Sequence, residues 1–408
     1  MRASHLPNLG AIRGIWSKCA SRSHLRAPIP RCLPLHRFTR ITHHTPTWTI
    51  HRGIASATDA PSPHASILGF GNPVLDISAV VDQSFLDEWG LELNNAILAD
   101  ERHASLYEAC RLIATHAVEY IAGGSTQNTI RVAQWMASGA ASTAFVGCVG
   151  RDAWGEQLEA AARADGVRVA YMRHATLPTG TCAVLVSGGE RSLCARLAAA
   201  AAYAPEHFAS PQVQALLHGA QIVYAAGFFL TVSPSTVVAV GKHCVASGKA
   251  CCINLSATFI PQQFKAALDE AMYYCDFVFG NEKEAAAYGV EQGWGDDLKE
   301  VALQLAALPK ASEATRRCVV ITQGKEPTLV AYGGVVTEYE VPLVPKEKLV
   351  DTNGAGDAFV GGFLALLSQG SALEDCVRAG QYASSQIVQM SGCKIPSAKP
   401  TFVASSRS

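Results

Sequence analysis

A carboxylate follows a glycine-rich turn near the C-terminal end of the chain. Residues 351–357 read Asp-Thr-Asn-Gly-Ala-Gly-Asp, and an apolar helical run follows them. Glycines permit tight bends, and the first turn of a helix leaves N–H groups free to bind an anion. Asp357 can accept the proton of an attacking hydroxyl, and the amides of Gly354, Ala355 and Gly356 can stabilise a phosphoryl group. The plainer alternative is a turn in which Asp357 only caps the helix.

Apolar, strand-like runs alternate with helical stretches whose apolar residues lie three or four positions apart. This alternation predicts an α/β fold in which helices cover both faces of a mainly parallel sheet. Ligands bind beyond the carboxyl ends of the strands in such sheets, so we expect the chemistry in those loops. The strand-like runs are 67–70, 144–149, 222–226, 250–255, 277–279 and 319–322, and the helical stretches are 126–136, 154–164, 235–246 and 298–307.

Two further strand-like pieces lie near the start of this pattern, at 77–81 and 96–99. The segment that links them is close to the minimum length for a helical crossover. The pieces predict a small separate sheet that acts as a lid over the site. The alternative is that they are edge strands of the main sheet.

Bulk composition excludes several classes of partner. A formal net charge of −1 over 408 residues provides no general attraction to nucleic acid or acidic membranes. No uninterrupted apolar run reaches the length of a bilayer span, so we expect a soluble protein without a membrane partner. The 13 cysteines form no Cys-x-x-Cys pair and no short-domain disulfide pattern, which predicts buried thiols.

The segment 1–64 differs in character from the rest of the chain. It has many arginines, and no acidic residue precedes Asp59. This composition is typical of an organelle transit peptide, but a disordered extension fits it equally. We expect one large α/β domain over 65–402, a tail over 403–408, and a discontinuous lid built from about 74–100 and 121–124 with further strands.

The segment 351–357, followed by Ala-Phe-Val-Gly-Gly-Phe, resembles the C-terminal signature of the ribokinase-like (pfkB) carbohydrate kinases. The resemblance runs from about Ile67 to about Pro400 and is greatest to the nucleoside-phosphorylating members. It implies a ribokinase-like three-layer sandwich with a small β lid. It also implies transfer from ATP to the 5′-hydroxyl of adenosine, with AMP and ADP as products. The chain lacks a Walker-type Gly-x-x-x-x-Gly-Lys-Ser/Thr sequence, which excludes the commonest rival phosphate loop.

The resemblance also implies a ribose site. Similar kinases use the equivalent of Asp76 to accept hydrogen bonds from ribose hydroxyls, and a carboxylate suits a vicinal diol because both hydroxyls can donate to it. The alternative for Asp76 is that it is only a turn aspartate. The alternative for Gly124 and Ser125 is a plain glycine turn in which the serine caps the following helix. The candidate substrate-binding residues are Asn72, Asp76, Gly124, Ser125, Asn128 and Asn353.

The same resemblance places the base between apolar walls, on which a purine can stack. Phenylalanines in apolar runs are more often core residues, so the resemblance carries this assignment. The chain departs from the family pattern at Ala96, where the animal enzymes have glutamine, and at Arg196, where they have asparagine. The candidate wall residues are Leu98, Leu193, Ala195, Phe228 and Phe259.

For ATP and Mg²⁺, the resemblance points to the ends of two strands. Asn281 and Glu284 match an Asn-x-x-Glu element that organises Mg²⁺ through water, which suits an ion that prefers oxygen ligands and retains waters. A solvated helix start is the alternative. Thr322 and Gly324 match the place of the ATP ribose and phosphates, and Arg191 matches an arginine that closes on the transferring phosphate. Similar kinases are monomers located mainly in the cytosol and nucleus, whereas a working transit peptide would direct the chain to mitochondria.

Overall fold

The structure, a computed structural model, describes residues 66–93, 95–113, 119–188 and 190–404. The predicted basic extension over 1–64 and the end of the tail, 405–408, lie outside the described residues.

The described residues form strands and helices that alternate along most of the chain. The strands are β1 (Ile67–Phe70), β2 (Val74–Val80), β3 (Asn95–Leu98), β4 (Glu119–Gly123), β5 (Thr143–Gly150), β6 (Arg168–His174), β7 (Gly180–Ser187), β8 (Glu190–Arg196), β9 (Ile222–Ala226), β10 (Ala250–Asn254), β11 (Phe277–Asn281), β12 (Cys318–Gln323), β13 (Glu326–Tyr332) and β14 (Val335–Tyr339). The α-helices are α1 (Gln83–Trp89), α2 (Leu106–Ile113), α3 (Ser125–Ala137), α4 (Ala153–Ala164), α5 (Pro205–Phe208), α6 (Pro211–Gly219), α7 (Pro234–Ser247), α8 (Phe259–Gln263), α9 (Lys265–Met272), α10 (Glu282–Gln292), α11 (Leu298–Ala307), α12 (Ala355–Ser368) and α13 (Leu373–Ile387).

Nine strands form the main sheet, in the order β14-β13-β12-β11-β10-β9-β1-β5-β6. The strands from β6 to β12 pair in parallel, and β13 and β14 extend one edge as an antiparallel hairpin. Neighbouring residues of β1 belong to different core clusters: Ile67 faces one side of the sheet, and Leu68 and Phe70 face the other. Both faces are therefore covered, which is why these strands read as continuous apolar runs. The predicted α/β class is confirmed.

A second, smaller sheet has five strands, in the order β3-β8-β7-β2-β4. Helices α1 and α2 contribute Phe85, Leu86 and Leu106 to its own apolar cluster. The two pieces predicted at 77–81 and 96–99 correspond to β2 and β3 of this sheet, so the edge-strand alternative is wrong. The chain passes between the two sheets at 71–73 and again at Gly124, which brings Asn72 and the start of α3 to the boundary.

Helix α12 packs tightly against α3 and α13. A Cβ atom on Gly361 would lie 2.7 Å from the Thr129 carbonyl oxygen, and one on Gly362 would lie 2.4 Å from the Ala379 carbonyl oxygen. Neither position has room for a side chain, so these glycines serve close helix packing. The packing holds the first turn of α12 beside the first turn of α3.

In the part of the chain that the structure describes, no helix combines the length and apolar character needed to cross a bilayer. The cysteines within those residues are all buried and none is in a disulfide, as the sequence predicts.

Candidate active site

A cavity of about 700 Å³ lies among side chains from both sheets. Its lining includes residues of β2, β3 and β8 from the small sheet and residues at the carboxyl ends of β9 to β12. The start of α12 completes the wall. A cavity of this volume is typical of a site for a small organic ligand.

Asp357 lies in the first turn of α12 and lines this cavity. Its Oδ1 accepts a hydrogen bond of 2.6 Å from the Ser125 hydroxyl, and its Oδ2 accepts one of 3.1 Å from Nδ2 of Asn128. The helix begins after Gly354 without a side-chain cap, so the capping alternative for Asp357 is wrong. Ser125 likewise donates to Asp357, and no side chain caps α3.

Burial raises the pKa of Asp357 to about 6, while the hydrogen bonds from Ser125 and Asn128 lower it. The carboxylate is therefore mainly ionised at neutral pH and is a better proton acceptor than an ordinary aspartate. A base is most effective when its pKa lies near the working pH.

The glycine-rich turn leaves fewer amides open than the sequence predicts. The Ala355 amide donates to the Thr352 carbonyl oxygen at 3.2 Å, and Ala355 does not line the cavity. Its predicted place in the anion site is therefore wrong, because Gly354, at φ +78°, closes a turn that uses this amide. The amides of Gly354 and Gly356 make no hydrogen bond within the described ranges, and both residues line the cavity.

Asp76 lies within β2 of the small sheet, and not at an edge of the main sheet. Burial raises the pKa of its carboxyl group to about 8, with a further contribution from the charge of Asp357. No donor among the described residues is hydrogen-bonded to this carboxyl group. A Cβ atom on Gly123 would lie 2.3 Å from Oδ1 of Asp76, so only glycine fits beside it. The carboxyl group faces the cavity and can receive hydroxyl groups of a ligand.

Two amide side chains that line the same cavity as Asp76 also have unused polar atoms. Asn72 donates to the Phe228 carbonyl oxygen at 3.1 Å, but its buried Oδ1 has no partner within the described ranges. The same holds for Oδ1 of Asn128. Both residues and Gly124 line the cavity. Buried polar atoms without partners are rare in folded proteins, so these oxygens indicate where a ligand donates hydrogen bonds.

The predicted apolar wall lines the same cavity. The rings of Phe228 and Phe259 lie with their centroids 6.1 Å apart and their planes tilted by 42°. Ala96 also lines the cavity, whereas Arg196 does not: its guanidinium lies 4.7 Å from the centre of the Tyr107 ring. The wall residues from the small sheet are Leu98, Leu193 and Ala195.

Asn281 and Glu284 form a capping box at the start of α10. The Glu284 carboxylate accepts from the Asn281 backbone N at 3.0 Å and from its Nδ2 at 2.8 Å. The two residues therefore do start a helix, as the alternative predicted, but Glu284 is buried and not solvated. Both residues also line the cavity. Burial raises the pKa of Glu284 to about 7. Thr322 lines the cavity, whereas Gly324 lies in the β12–β13 turn outside it.

Arg191 lies on β8 and is only 4% exposed. Its Nε donates to Oδ1 of Asp351, and its Nη1 is buried without a partner within the described ranges. Arg191 lines the cavity, as does Asn353 of the glycine-rich segment.

Sequence reasoning missed two cavity-lining residues: Asn254, which ends β10, and Ser256, which follows it. The Gly227 amide donates to the Ser256 hydroxyl at 2.8 Å, and Ser256 has a φ of +71°. Polar residues at the carboxyl end of a buried strand were the available signal.

Comparison with known proteins places the chain among kinases. The model of the pfkB family carbohydrate kinases matches residues 87–400. Adenosine kinase 1 of Arabidopsis thaliana is 50% identical over 337 residues, which cover 82% of this chain and 97% of the relative.

Solved structures agree with this comparison. Anopheles gambiae adenosine kinase, in complex with P1,P4-di(adenosine-5) tetraphosphate, superposes with a TM-score of 0.79 at 47% identity and covers 83% of this chain and 99% of its own. Schistosoma mansoni adenosine kinase, in complex with 2-fluoroadenosine, gives a TM-score of 0.78 at 34% identity over 81% of this chain and 97% of its own. With its fold, its glycine-rich turn and the family match over most of its length, the chain belongs to the pfkB family of carbohydrate kinases.

Proposed function

We propose that the chain transfers the γ-phosphoryl group of ATP to the 5′-hydroxyl of adenosine, giving AMP and ADP. One observation carries the proposal: a buried carboxylate of raised pKa, Asp357, is fixed by Ser125 and Asn128 in the cavity that Asp76 also lines. The apolar wall around Phe228 and Phe259 suits a purine and not a small free sugar. The relatives named adenosine kinase support the same substrate.

In the mechanism that this geometry supports, Asp76 accepts hydrogen bonds from the ribose 2′- and 3′-hydroxyls. The unpartnered oxygens of Asn72 and Asn128 provide further acceptors. This contact orients the 5′-hydroxyl, so that Asp357 can take its proton as the oxygen attacks the γ-phosphoryl group in line. The open amides of Gly354 and Gly356, together with Arg191, stabilise the charge on the phosphoryl oxygens. Closure of the small sheet excludes water and prevents loss of ATP to hydrolysis.

The residues present fit a Mg²⁺ ion that is held through water. Both carboxylate oxygens of Glu284 already accept hydrogen bonds from Asn281. Within the described ranges, no three His, Cys, Asp or Glu side chains are grouped as metal ligands. Mg²⁺ retains several waters and takes few protein ligands, so Glu284 and Asn281 would hold it from its outer shell. When bound with ATP, the ion neutralises charge on the phosphate oxygens.

The reaction should depend on pH through Asp357. At saturating adenosine and ATP, we expect the acid limb of the kcat profile to pass through half of its maximum near pH 6, because Asp357 must be unprotonated to act as the base. The substitution Ser125→Ala removes a hydrogen bond that lowers this pKa, so the acid limb should move to higher pH. A pH–rate profile of both proteins measures the shift.

Ser233 provides a matched control for this profile. It is also buried, and its hydroxyl donates to Thr236 at 2.8 Å, outside the cavity. Ser233→Ala should leave the acid limb in place. A normal kcat with an unmoved limb in Ser125→Ala would exclude Asp357 as the titrating base.

The proposed activity is tested with a substrate panel and labelled ATP. We expect adenosine to give the highest kcat/KM, and inosine, guanosine and free ribose to give lower values. Ribose outperforming adenosine would reject the nucleoside assignment, and a preference for inosine or guanosine would retain the enzyme class but change the substrate. Adenosine binding without AMP formation would indicate a binding protein that keeps only the fold.

We also propose that the protein acts as a monomer in the cytosol and nucleus, as the family resemblance implies. Import into mitochondria is the alternative if the basic segment 1–64 is a working transit peptide. Sequencing the N-terminus of the mature protein distinguishes the two locations, since import removes a transit peptide.

A further inference from the structure

Arg191 and Asp351 form a buried ion pair between the small sheet and the glycine-rich segment. Arg191 belongs to β8, and Asp351 is the first residue of the segment 351–357. Their side chains are 5% and 1% exposed, and Nε of the arginine donates to Oδ1 of the aspartate. Burial of two charges is costly and adds little net stability.

The Asp351 carboxylate also binds backbone amides of the surrounding loops. Oδ1 accepts from the Asn353 amide at 2.6 Å, and Oδ2 accepts from the Gly392 amide at 2.6 Å. Asp351 does not line the cavity, whereas Arg191 and Asn353 do. It can therefore affect a ligand only through the groups that it holds.

Asp351 binds the guanidinium of Arg191 on one edge only, through Nε. Nε is engaged by Asp351, while Nη1 is buried and has no partner within the described ranges. Because the guanidinium is planar and rigid, fixing Nε also fixes the direction of Nη1. A planar fork with a free donor suits an anionic phosphoryl oxygen.

We propose that Asp351 is a positioning residue for phosphoryl transfer: it orients Arg191 so that Nη1 meets the transferring phosphoryl group, and ties this arginine to the anion-binding turn. The inference rests on the proposed function above. Asp351 thereby makes the arginine of the lid and the amides of the turn assemble as one anion site.

The kinetic test uses Arg191→Ala, Asp351→Asn and the double variant. We expect each single substitution to lower kcat by about tenfold or more and to leave the adenosine KM within about threefold, because only the transferring group loses a contact. The double variant should be no worse than Arg191→Ala within about twofold, since the two residues act as a unit. Additive losses, an unchanged kcat in Asp351→Asn, or losses confined to the adenosine KM would overturn the proposal.

Asp276 provides a matched control. Its carboxylate is also buried and is bound by Nζ of Lys310 at 2.5 Å, by the Thr315 hydroxyl at 2.7 Å and by the Cys251 amide at 2.9 Å, away from the cavity. Asp276→Asn should lower the thermal unfolding temperature as Asp351→Asn does, yet keep kcat within about twofold of the parent. An equal loss of kcat in this control would show that general destabilisation explains both results.

A binding measurement completes the test without turnover. Because a 5′-phosphate would meet Nη1, calorimetric titration should show that the ratio of the AMP to the adenosine dissociation constant rises by about tenfold in Arg191→Ala and in Asp351→Asn. The ratio should not change in Asp276→Asn. Absence of adenosine phosphorylation by the parent protein would reject the proposed function, whereas an active parent with unchanged ratios in the variants would reject the role of Asp351.

Discussion

Replacing Asp357 by asparagine should lower kcat by about three powers of ten while the adenosine dissociation constant changes by less than about threefold. Asparagine keeps the shape of the side chain and can still accept the Ser125 hydroxyl, but it cannot take a proton from the 5′-hydroxyl. Adenosine binding depends on other groups, chiefly Asp76 and the apolar wall. Single-turnover kinetics and calorimetry measure the two quantities separately.

Asp152 provides the control for this substitution. Its carboxylate caps α4 and accepts hydrogen bonds from Thr179 and Gly155 outside the cavity. Asp152→Asn should reduce stability and leave kcat close to that of the parent protein. A kcat for Asp357→Asn within tenfold of the parent would mean that another group accepts the proton.

The second large effect concerns Asp76 and should appear in KM. We expect Asp76→Ala to raise the adenosine KM by about a hundredfold, because two hydrogen bonds to the ribose hydroxyls are lost in a buried site. The parent protein should prefer adenosine over 2′-deoxyadenosine, and this preference should nearly vanish in the variant. Steady-state kinetics with both nucleosides measures the change.

Folding should not confound this result. Burial raises the pKa of Asp76 to about 8, so the folded protein disfavours the ionised form and the carboxyl group costs stability above its unfolded pKa. The alanine variant should therefore be at least as stable as the parent at pH 8 in thermal unfolding. A variant that still discriminates fully against 2′-deoxyadenosine would place the ribose hydroxyls elsewhere.

Sequence reasoning succeeded for elements with a strong local pattern. Strands β1 and β9 were located to the residue, because strands buried on both faces read as short, uninterrupted apolar runs. Strands β6 and β8 were missed, since each carries arginines and has an exposed end. A half-solvated strand with charged ends has no clear period in the sequence.

For the site, local spacing located the glycine-rich turn and Asp357 but not their partners. Ser125 and Asp357 are 232 positions apart, and Arg191 and Asp351 are 160 apart, so only the fold reveals that these side chains meet. The error at Ala355 has a different origin. Its amide is consumed by the local turn at Gly354, a detail of backbone geometry that glycine spacing does not specify.

The packing of α12 against α3 has a consequence for synthesis of the protein on the ribosome. The nucleoside-contacting groups of β2 and α3 emerge early, whereas the base and its anion-binding turn belong to the final stretch of the chain. Translation proceeds from the N-terminus at about 5–20 residues per second, so α12 reaches α3 only after nearly everything else has emerged. A polypeptide that is cut short before α12 still contains the proposed nucleoside-contacting residues Asp76 and Asn128, but it lacks the proposed base Asp357 and the helices that complete one face of the core, so we expect it to be inactive.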